Sequence, residues 1–500
     1  MHTAHWITYS VFVADLLIRV GLSLRVIKRR LPVGVSLAWL AIILIFPFAG
    51  AIIYLMVGEY RLGRHRAQRA AAYRQALQAQ VGGPAADHRT DPETLGAGGA
   101  AVARLAGSVL GAAVLAGNRL QLLENAEAAF PVLIADIDRA AESCHLEFYI
   151  WHPGGRADDV VAAVVRAAKR GVKCRVLVDA IGSKAFMRSP LVTDLRQAGV
   201  QVATALPAGI LSLPFVRPDL RLHRKIAVID GVVGYTGSLN VADPKLFKQE
   251  AGVGQWVDAL ARLQGPAVAA LAEVFRHDWT IEVGEPISVA RPEHAGEAGG
   301  ESADTPHSLR SHAQGAPPSA AVQVLATGPG AHVEAIEQVV LMALYAAERE
   351  VVLTTPYFVP SESLLTALLS AAGRGVKVSL IVPAKVDSRL VHFASRANQS
   401  DLLAAGVRVA LFEAGLLHTK SISVDGQFSL FGSLNLDPRS LRLDFEITLV
   451  VYDVDFTKSV RALQQVYLDR SKMLDLAACQ SRTALEGLAE DSARLVGPVL

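Results

Sequence analysis

The hydrophobic pattern separates an apolar N-terminal region from a longer region in which apolar and polar positions alternate. Residues 33–57 form a run of 25 positions without a charged side chain. At ~1.5 Å per residue, a helix of this length crosses a hydrocarbon core of ~30 Å, so the run predicts a transmembrane helix. An earlier apolar run, residues 6–24, is interrupted by Asp15 and Arg19, which would pair on one helix face. This earlier run fits either a second span or a re-entrant segment.

Basic side chains follow both apolar runs. They are Arg25, Lys28, Arg29 and Arg30 after the first run, and Arg61, Arg64, His65, Arg66 and Arg69 after the second. Positive charge on both sides does not select a membrane orientation, but it suits contact with anionic lipid head groups. We therefore expect residues 1–70 to form a membrane anchor with one or two transmembrane helices.

The remainder of the chain contains two segments with similar patterns. Residues 167–178 align with residues 371–382, and residues 195–202 align with residues 402–409. Each aligned segment predicts the end of a helix, a glycine turn and a buried strand. Helices that alternate with strands indicate an α/β fold, so we expect two halves that each contain a mixed sheet flanked by helices.

Two stretches of different composition separate these regions. Residues 81–109 begin with a segment rich in Gly, Ala, Asp and Pro, and residues 286–321 contain few large apolar side chains. Both stretches are typical of linkers, and the second is expected to be mobile. The two halves should therefore lie at residues 110–285 and 322–480. Residues 481–500 are expected to form a peripheral helix or tail.

Composition limits the class of protein. The chain has 500 residues, of which 51% are hydrophobic, so it can form two or three domains with large cores. Its net charge of +2 argues against a dedicated nucleic-acid binder, which usually has a strongly basic domain. The three cysteines are scattered and show no metal-binding or disulfide spacing, which favours reduced thiols.

The candidate chemistry lies in a motif that occurs twice. Each copy contains His-x-Lys-x4-Asp followed by Gly-Ser-Leu-Asn, and the second copy follows the first by 195 residues. The candidate catalytic residues are His223, Lys225, Asp230, His418, Lys420 and Asp425, and the candidate substrate-binding residues are Ser238, Asn240, Ser433 and Asn435. Residues two apart on a strand face the same side, so each histidine should share a space with its lysine. A base or nucleophile beside a fixed cation suits chemistry on an anionic group.

The motif aspartates have a second interpretation. Asp230 and Asp425 each precede a glycine, and Asp-Gly is a strong signal for a hairpin turn. Their odd spacing from Lys225 and Lys420 would direct them to the opposite face of a strand. We therefore expect both aspartates to hold the turn or a neighbouring strand.

Two glutamates are better candidates for orienting the histidines. Glu250 lies 27 residues after His223, and Glu446 lies 28 residues after His418. A carboxylate beside each imidazole would fix its tautomer and raise its basicity. The matched spacing predicts that each glutamate serves the histidine of its own half.

The doubled motif resembles the phospholipase D superfamily. That resemblance implies two halves arranged around a pseudo-two-fold axis, with both His/Lys pairs at one site. It implies that one histidine attacks phosphorus to form a covalent phosphohistidine, while the other protonates the leaving alcohol and then deprotonates the incoming one. By analogy, His223 is the nucleophile and His418 the acid/base. Lys225 and Lys420 would balance the phosphate charge, the motif asparagines and serines would donate hydrogen bonds, and no metal or other cofactor is required.

A narrower resemblance covers nearly the whole chain. Residues 417–446 are similar to the bacterial cardiolipin synthase family. So are residues 54–58, 115–118, 149–151, 264–268 and 356–358. The resemblance implies phosphatidyl transfer between two phosphatidylglycerol molecules, giving cardiolipin and glycerol. It also implies a multi-pass protein of the bacterial inner membrane, with its catalytic part on the cytoplasmic side and no nucleic-acid partner. Val257 departs from the family, which usually carries an arginine at this position.

Three other functions remain open from the sequence. A phospholipase, or a phosphatidyltransferase with a different acceptor, would use the same covalent step. A nuclease and a non-catalytic membrane scaffold are less compatible with the near-neutral charge and with two intact motifs. Residues 205–216 form an unusually apolar loop, which would line an acyl-chain path, contact the bilayer surface or lie buried beneath a neighbouring segment.

Overall fold

The computed structural model describes residues 2–29, 31, 33–59, 61–79, 86–207, 217–287, 319–329, 334–480 and 482–496. The helices in these ranges are α1 (His2–Lys28), α2 (Val33–Ile45), α3 (Pro47–Val57), α4 (Arg64–Ala79), α5 (Gly96–Leu110), α6 (Ala126–Arg139), α7 (Arg156–Lys169), α8 (Lys184–Met187), α9 (Pro190–Gln197), α10 (Ala267–Val283), α11 (Ala335–Ala346), α12 (Glu362–Gly373), α13 (Arg389–Arg396), α14 (Gln399–Ala404), α15 (Pro438–Arg442), α16 (Val454–Asp469), α17 (Leu476–Gln480) and α18 (Ala484–Val496). The strands are β1 (Leu115–Leu123), β2 (Ser143–Phe148), β3 (Lys173–Asp179), β4 (Gln201–Ala205), β5 (Lys225–Ile229), β6 (Val233–Gly237), β7 (Trp256–Val257), β8 (Leu260–Gln264), β9 (Ala320–Thr327), β10 (Glu350–Thr354), β11 (Lys377–Pro383), β12 (Arg408–Phe412), β13 (Leu416–Leu417), β14 (Ser421–Val424), β15 (Phe428–Gly432), β16 (Glu446–Tyr452) and β17 (Ser471–Met473).

Within the described ranges, the two halves share one mixed sheet of 15 strands. Its order is β17-β12-β11-β10-β14-β15-β16-β9-β1-β8-β6-β5-β2-β3-β4. Strands β2, β3 and β4 run parallel in the first half, as do β10, β11 and β12 in the second. The prediction of two halves with mixed sheets is confirmed. The antiparallel pairing of β1 with β9 joins the two sheets edge to edge, which the sequence pattern did not predict.

The strand order is mirrored about the β1–β9 pair, as expected for duplicated halves. Strands β5 and β6 form a hairpin in the first half, and β14 and β15 form the matching hairpin in the second. The two His-x-Lys motifs lead into these hairpins. The duplication therefore places both motifs at equivalent positions of the shared sheet.

Helices cover both faces of the sheet, which explains why the central strands are apolar on both sides. Helices α6 and α7 pack on the outer face of the first half, and α11 and α12 pack on that of the second. Helices α10 and α16 lie in a third core, which contains residues from both halves. In β10, for example, Val351 and Leu353 belong to the outer core, whereas Val352 belongs to the inner one.

The apolar run at residues 33–57 is two helices rather than one. Helix α2 ends at Ile45, and α3 begins at Pro47 after Phe46, whose backbone is not helical. The rings of Trp39 and Tyr54 lie 5.3 Å apart, so α3 packs back against α2. No helix in the described part of the chain is long and apolar enough to span a membrane. The continuous helix expected from the sequence is wrong because hydropathy alone does not register the bend at Phe46.

Several of the basic residues around this region form ion pairs. Arg25 and Arg29 contact the buried carboxylate of Glu59, at 2.5 and 3.1 Å. Arg66 on α4 pairs with Glu282 on α10 at 2.8 Å. These pairs connect the N-terminal helices to each other and to the inner core of the molecule.

Part of the region expected to be a linker is folded. Helix α5 occupies residues 96–110, and its Val102 and Ala106 are buried in the outer core of the second half. The expectation of a linker is therefore wrong for this helix, whose small residues permit close packing despite their loop-like composition. Residues 208–216 of the apolar loop and 288–318 of the second linker lie outside the described residues. Near the C-terminus, α18 packs on α13.

Candidate active site

The two motif histidines lie beside strands rather than within them. His223 precedes β5, and His418 lies between β13 and β14. The backbone N–H of His223 donates to the carbonyl of Phe445 at 2.9 Å, and that of His418 donates to the carbonyl of Val257 at 2.8 Å. Each histidine segment is therefore held by backbone from the other half. The expectation of one continuous strand through each motif is wrong because these crossed hydrogen bonds replace the regular ladder.

The two motif lysines are buried beside their histidines. Lys225 is 0% exposed and Lys420 is 3% exposed. Each lysine Nζ donates to the carbonyl oxygen of its motif histidine, at 2.5 Å in both halves. The same local geometry therefore occurs twice and fixes a cation beside each imidazole.

Each imidazole is oriented by a carboxylate from the opposite half. Nδ1 of His223 lies 2.8 Å from Oε1 of Glu446. Nδ1 of His418 lies 2.6 Å from Oδ1 of Asp258. A neutral imidazole that donates its Nδ1 proton to a carboxylate keeps Nε2 as the basic nitrogen. The two crossed pairs bring both motifs into one site.

The predicted pairing of histidines with glutamates is therefore wrong in its assignment. Glu250 is exposed in a 3-10 turn and does not accept the Nδ1 contact of His223. Glu446 does orient a histidine, but it is His223 rather than His418. The first half has 17 residues between Asn240 and its carboxylate, whereas the second half has 10 between Asn435 and Glu446. Glu250 and Glu446 follow the motif histidines of their own halves at similar distances only by coincidence, so this spacing did not reveal the insertion.

Asp258 is the site residue that the sequence reasoning missed. It precedes β8, and Glu446 begins β16, which is the equivalent strand of the second half. An alignment of those two strands would have identified Asp258, because both carboxylates lie where the equivalent strands begin. Counting residues from the histidines could not identify it, since the insertion changes the count in one half only.

The motif serines contact the carboxylate segments. Ser433 Oγ donates to Glu446 and accepts from the backbone N–H of Ile447 at 2.9 Å. Ser238 Oγ accepts from the backbone N–H of Ala259 at 3.0 Å. Both serines thus hold the strands that carry the orienting carboxylates, and this position differs from the substrate-facing one expected from the sequence.

The motif asparagines retain polar atoms without a partner inside the described protein. Asn240 Oδ1 accepts from the backbone N–H of Ile150 at 3.0 Å, while its buried Nδ2 has no protein partner. Oδ1 of Asn435, which can only accept a hydrogen bond, is also buried and unpartnered. An unpaired buried polar group is costly, so these amides are suited to hydrogen bonding with a bound molecule.

The motif aspartates lie at the turns of the two hairpins. Asp230 accepts backbone N–H groups of residues 141–143 at 2.8 to 2.9 Å, and Asp425 accepts those of residues 348–350 at 2.7 to 2.9 Å. Their φ angles are +53° and +54°, in the left-handed region that Asp tolerates better than most residues. Strand rise places them roughly 16 Å along the chain from the motif lysines. This geometry agrees with the expected role of holding a turn and a neighbouring strand.

Burial sets the protonation of the imidazoles and lysines. It lowers the pKa of His223 well below its usual value, with a further contribution from Lys225. Burial also lowers the pKa of His418 to about 3, despite the opposing effect of Asp258. The pKa of Lys225 falls to about 8 and that of Lys420 falls well below its usual value, again mainly through burial. Burial therefore favours neutral imidazoles and destabilises the charged forms of both lysines, and a bound anion would stabilise those charged forms.

The two orienting carboxylates differ in their electrostatics. Burial raises the pKa of Glu446 to about 7, although Lys225 opposes this shift. Burial would also raise the pKa of Asp258, but His418 and Lys420 outweigh it and lower that pKa. Asp258 therefore remains an anion beside His418, whereas Glu446 is a weaker anion beside His223. The pseudo-symmetric site is thus chemically asymmetric.

Aromatic rings flank both imidazoles. The ring of Tyr149 lies 4.9 Å from that of His223, and Lys225 Nζ lies 5.3 Å from the Tyr149 centroid. The ring of Trp256 lies 4.4 Å from that of His418. Each imidazole is therefore packed against an aromatic ring. In the described part of the chain, no group of three or more His, Cys, Asp or Glu side chains is arranged to hold a metal ion.

The sequence is similar to known proteins over nearly its whole length. A family model described as "Cardiolipin synthase, PLD-like domain" matches residues 133–279 and 340–466, and one described as "Phospholipase_D-nuclease N-terminal" matches residues 18–59. Cardiolipin synthase A of Salmonella arizonae is 42% identical over 480 residues, which are 96% of each chain. Cardiolipin synthase A of Erwinia tasmaniensis is 42% identical over 481 residues, with the same coverage.

A solved structure shares the fold at lower sequence identity. The phosphatidylserine synthase of Haemophilus influenzae Rd KW20 superposes with a TM-score of 0.58 and 17% identity, covering 80% of this chain and 100% of its own. At this identity the similarity supports the two-half architecture alone.

Proposed function

This chain belongs to the cardiolipin synthase family of phospholipase D-like proteins, and we propose that it transfers a phosphatidyl group between two phosphatidylglycerol molecules. The products are cardiolipin and glycerol. The observation that carries the proposal is the buried centre in which two lysines flank two histidines, each oriented by a carboxylate of the opposite half. Such a centre suits a phosphodiester, whose negative charge compensates the buried cations.

In the first step, Nε2 of His223 attacks the phosphorus of the donor lipid. The N–P bond forms as the bond from phosphorus to the glycerol oxygen breaks, and His418 delivers a proton to that oxygen. Asp258 supports this role because it stays ionised and stabilises the imidazolium form of His418. The charge of the bound phosphate also favours that protonated form. Beside the weaker anion Glu446, His223 remains neutral and nucleophilic.

In the second step, a hydroxyl of the acceptor lipid attacks the phosphohistidine. His418 accepts the proton of that hydroxyl, the new O–P bond forms, and the N–P bond to His223 breaks. Lys225 and Lys420 neutralise the phosphoryl oxygens in both steps, with a hydrogen bond from Nδ2 of Asn240. One phosphodiester replaces another, so the exchange needs no nucleotide. Asp230 and Asp425, although part of the motif, act through the hairpin turns.

The N-terminal helices attach this site to the bilayer that contains both substrates. Many large apolar side chains of α1, α2 and α3, with Phe46 between them, are exposed in the isolated chain and require an apolar environment. They include Trp6, Phe12, Leu17, Val33, Ile45, Phe46 and Ile52. Burial of this surface in the inner membrane holds the site at the lipid–water interface and raises the effective concentration of the substrates.

This attachment divides the chain by function. Residues 1–70 form the membrane anchor, residues 110–285 and 322–480 form the two catalytic halves, and the halves face the cytoplasm. Helix α4 connects the anchor to the halves, since Arg66 and Tyr73 bond to Glu282 and Glu273 of α10.

Product analysis tests the proposed reaction. The full-length protein, reconstituted in vesicles of labelled phosphatidylglycerol, should form cardiolipin and glycerol in equal amounts. Formation of phosphatidic acid without cardiolipin would instead indicate a hydrolase. Transfer only to an added amine or alcohol head group would indicate a different acceptor.

A further inference from the structure

The insertion in the first half reaches the site on the side of His418. Residues 241–257 contain seven more positions than the equivalent segment, residues 436–445. Their last strand, β7, pairs with β13 of the second half, directly before His418. Within the same segment, Lys248 and Trp256 extend toward the second half. Lys248 takes no part in the two steps of the proposed reaction.

Lys248 belongs to a polar cluster with two residues of the second half. Its Nζ lies 3.0 Å from Oδ2 of Asp387, and the hydroxyl of Tyr357 donates to Oδ1 of Asp387 at 2.8 Å. The Lys248 side chain is 42% exposed, whereas that of Asp387 is 14% exposed. The cluster therefore presents a cation that solvent or a ligand can reach, on a carboxylate that the protein holds in place.

The cluster is adjacent to His418. Lys248 Nζ lies 5.4 Å from the centroid of the Trp256 ring, and that ring lies 4.4 Å from the ring of His418. Burial would raise the pKa of Asp387, but Lys248, Tyr357 and His418 together lower it.

The backbone at Lys248 is unfavourable for a lysine. Its φ angle is +50°, in the left-handed region that non-glycine residues seldom adopt. Such a conformation is strained and persists only where surrounding contacts impose it. Here the conformation accompanies a side chain that crosses to the opposite half, which is consistent with a functional position.

The proposed reaction brings a second phosphate to the His418 side of the site. In an in-line exchange the leaving glycerol and the incoming hydroxyl both occupy the side opposite His223, which is the side of His418. The acceptor phosphatidylglycerol carries its own phosphate, separated from its attacking oxygen by three carbons and one oxygen. Lys225 and Lys420 already neutralise the reacting phosphate, so the second phosphate needs a different partner.

We propose that Lys248, supported by Asp387 and Tyr357, binds the phosphate of the acceptor phosphatidylglycerol. The inference rests on the proposed function and names the subsite that distinguishes an anionic lipid acceptor from glycerol or water. When Lys248 bonds to that phosphate, Asp387 can accept a hydrogen bond from the secondary hydroxyl of the acceptor head group. The attacking hydroxyl then lies at His418.

The test compares two acceptors in Lys248→Met, with full-length protein in phosphatidylglycerol vesicles. Cardiolipin formation uses an acceptor that has a phosphate, whereas incorporation of labelled free glycerol into phosphatidylglycerol uses one that has none. The ratio of glycerol exchange to cardiolipin formation should rise about tenfold or more, since one charge-assisted hydrogen bond is lost from only one reaction. Lys248→Arg, which keeps the charge, should restore most of the wild-type ratio.

Lys245→Met is the matched control. Lys245 lies in the same segment, but its Nζ pairs with Glu127 at the surface, so this variant should keep the wild-type ratio. An unchanged ratio in Lys248→Met, or an equal change in Lys245→Met, would overturn the acceptor subsite. Failure of the wild-type protein to form any cardiolipin would instead overturn the proposed function itself.

Discussion

Each motif histidine depends on a carboxylate that the other half supplies. His223 contacts Glu446, and His418 contacts Asp258. The carboxylates therefore couple the two halves, since displacement of one half removes the orienting group from both imidazoles. The difference between the lowered pKa of Asp258 and the raised pKa of Glu446 gives the two histidines different environments. This difference supports the assignment of His418 as the acid/base and His223 as the nucleophile.

The pH dependence of turnover should follow from the buried groups. Below about pH 7, Glu446 becomes protonated. It then no longer provides the negative charge that stabilises a charged imidazole at His223. Above about pH 8, Lys225 loses its proton, and the free enzyme loses a cation that binds the phosphate. We therefore predict that kcat/KM for phosphatidylglycerol is highest between about pH 7 and 8 and falls on both sides. A rate that continues to rise through pH 9 would contradict the role of Lys225.

Glu446 and Glu250 provide a matched pair of variants that tests which carboxylate orients His223. Glu446→Gln should reduce kcat by about 100-fold or more, because the amide cannot stabilise a charged imidazole as the carboxylate does. Glu250→Gln should retain nearly wild-type kcat and the same pH profile, since Glu250 is exposed. Steady-state cardiolipin formation by both variants tests this difference, and a comparable loss of kcat in Glu250→Gln would support the sequence-based assignment of Glu250 to His223.

At the residue scale, the sequence predicted the histidines, lysines and asparagines of the centre but misassigned the carboxylates. The motif residues repeat in sequence because both copies perform the same local task. The contacts of Glu446 and Asp258 join segments that are distant in sequence, and the insertion before Asp258 changes the spacing in one half. The residue count from each histidine therefore does not identify Asp258, and no local pattern shows which histidine each carboxylate contacts.

The secondary-structure elements of each half are held together at the hairpin turns. Asp425 binds three consecutive backbone N–H groups at the start of β10, and Asp230 does the same at β2. Hydrogen bonds to a charged acceptor contribute more than neutral ones. The aspartates of the motif therefore fix the register between neighbouring strands, at the end of the hairpin away from the histidines.

We predict that Asp425→Asn lowers the free energy of unfolding by about 1–3 kcal/mol, because one carboxylate oxygen becomes an amide donor that faces a backbone N–H. Asn tolerates the left-handed backbone, so the change tests the hydrogen bonds alone. Denaturant unfolding measures the stability, and cardiolipin formation at a temperature where the variant is folded should stay within about threefold of wild type. A variant of wild-type stability that lacked activity would assign Asp425 to the chemistry instead.

The sequence predicted strands and helices in the two halves more successfully than at the N-terminus. Alternation and glycine turns identified the strands that lead to the motifs, since these have regular packing on both faces. The division of residues 33–57 was not predicted, because Pro47 is compatible with an apolar helix and the bend depends on packing of Trp39 against Tyr54. Helix α5 was also not predicted. Its small residues have the composition of a linker, and their burial depends on contact with the second half.

The whole molecule is organised by duplication and by its apolar N-terminal surface. The repeated pattern predicted two halves, but it did not predict that β1 and β9 pair to form one continuous sheet. This pairing is made by backbone hydrogen bonds at the edge of each sheet, which the side-chain pattern of the sequence does not indicate. The single centre between the halves then depends on the shared sheet and on the inner core formed by α10 and α16. Both substrates approach this centre from the bilayer in which we propose the N-terminal helices lie.

The most direct test of the central claim is chemical trapping of the covalent intermediate. The full-length protein would be mixed with phosphatidylglycerol labelled in its phosphate, quenched rapidly in alkali, and digested to map the labelled peptide. We predict an acid-labile, alkali-stable label on His223 that is absent from His223→Ala. Absence of any covalent label during cardiolipin formation, or a label on His418, would contradict the proposed roles of the two histidines.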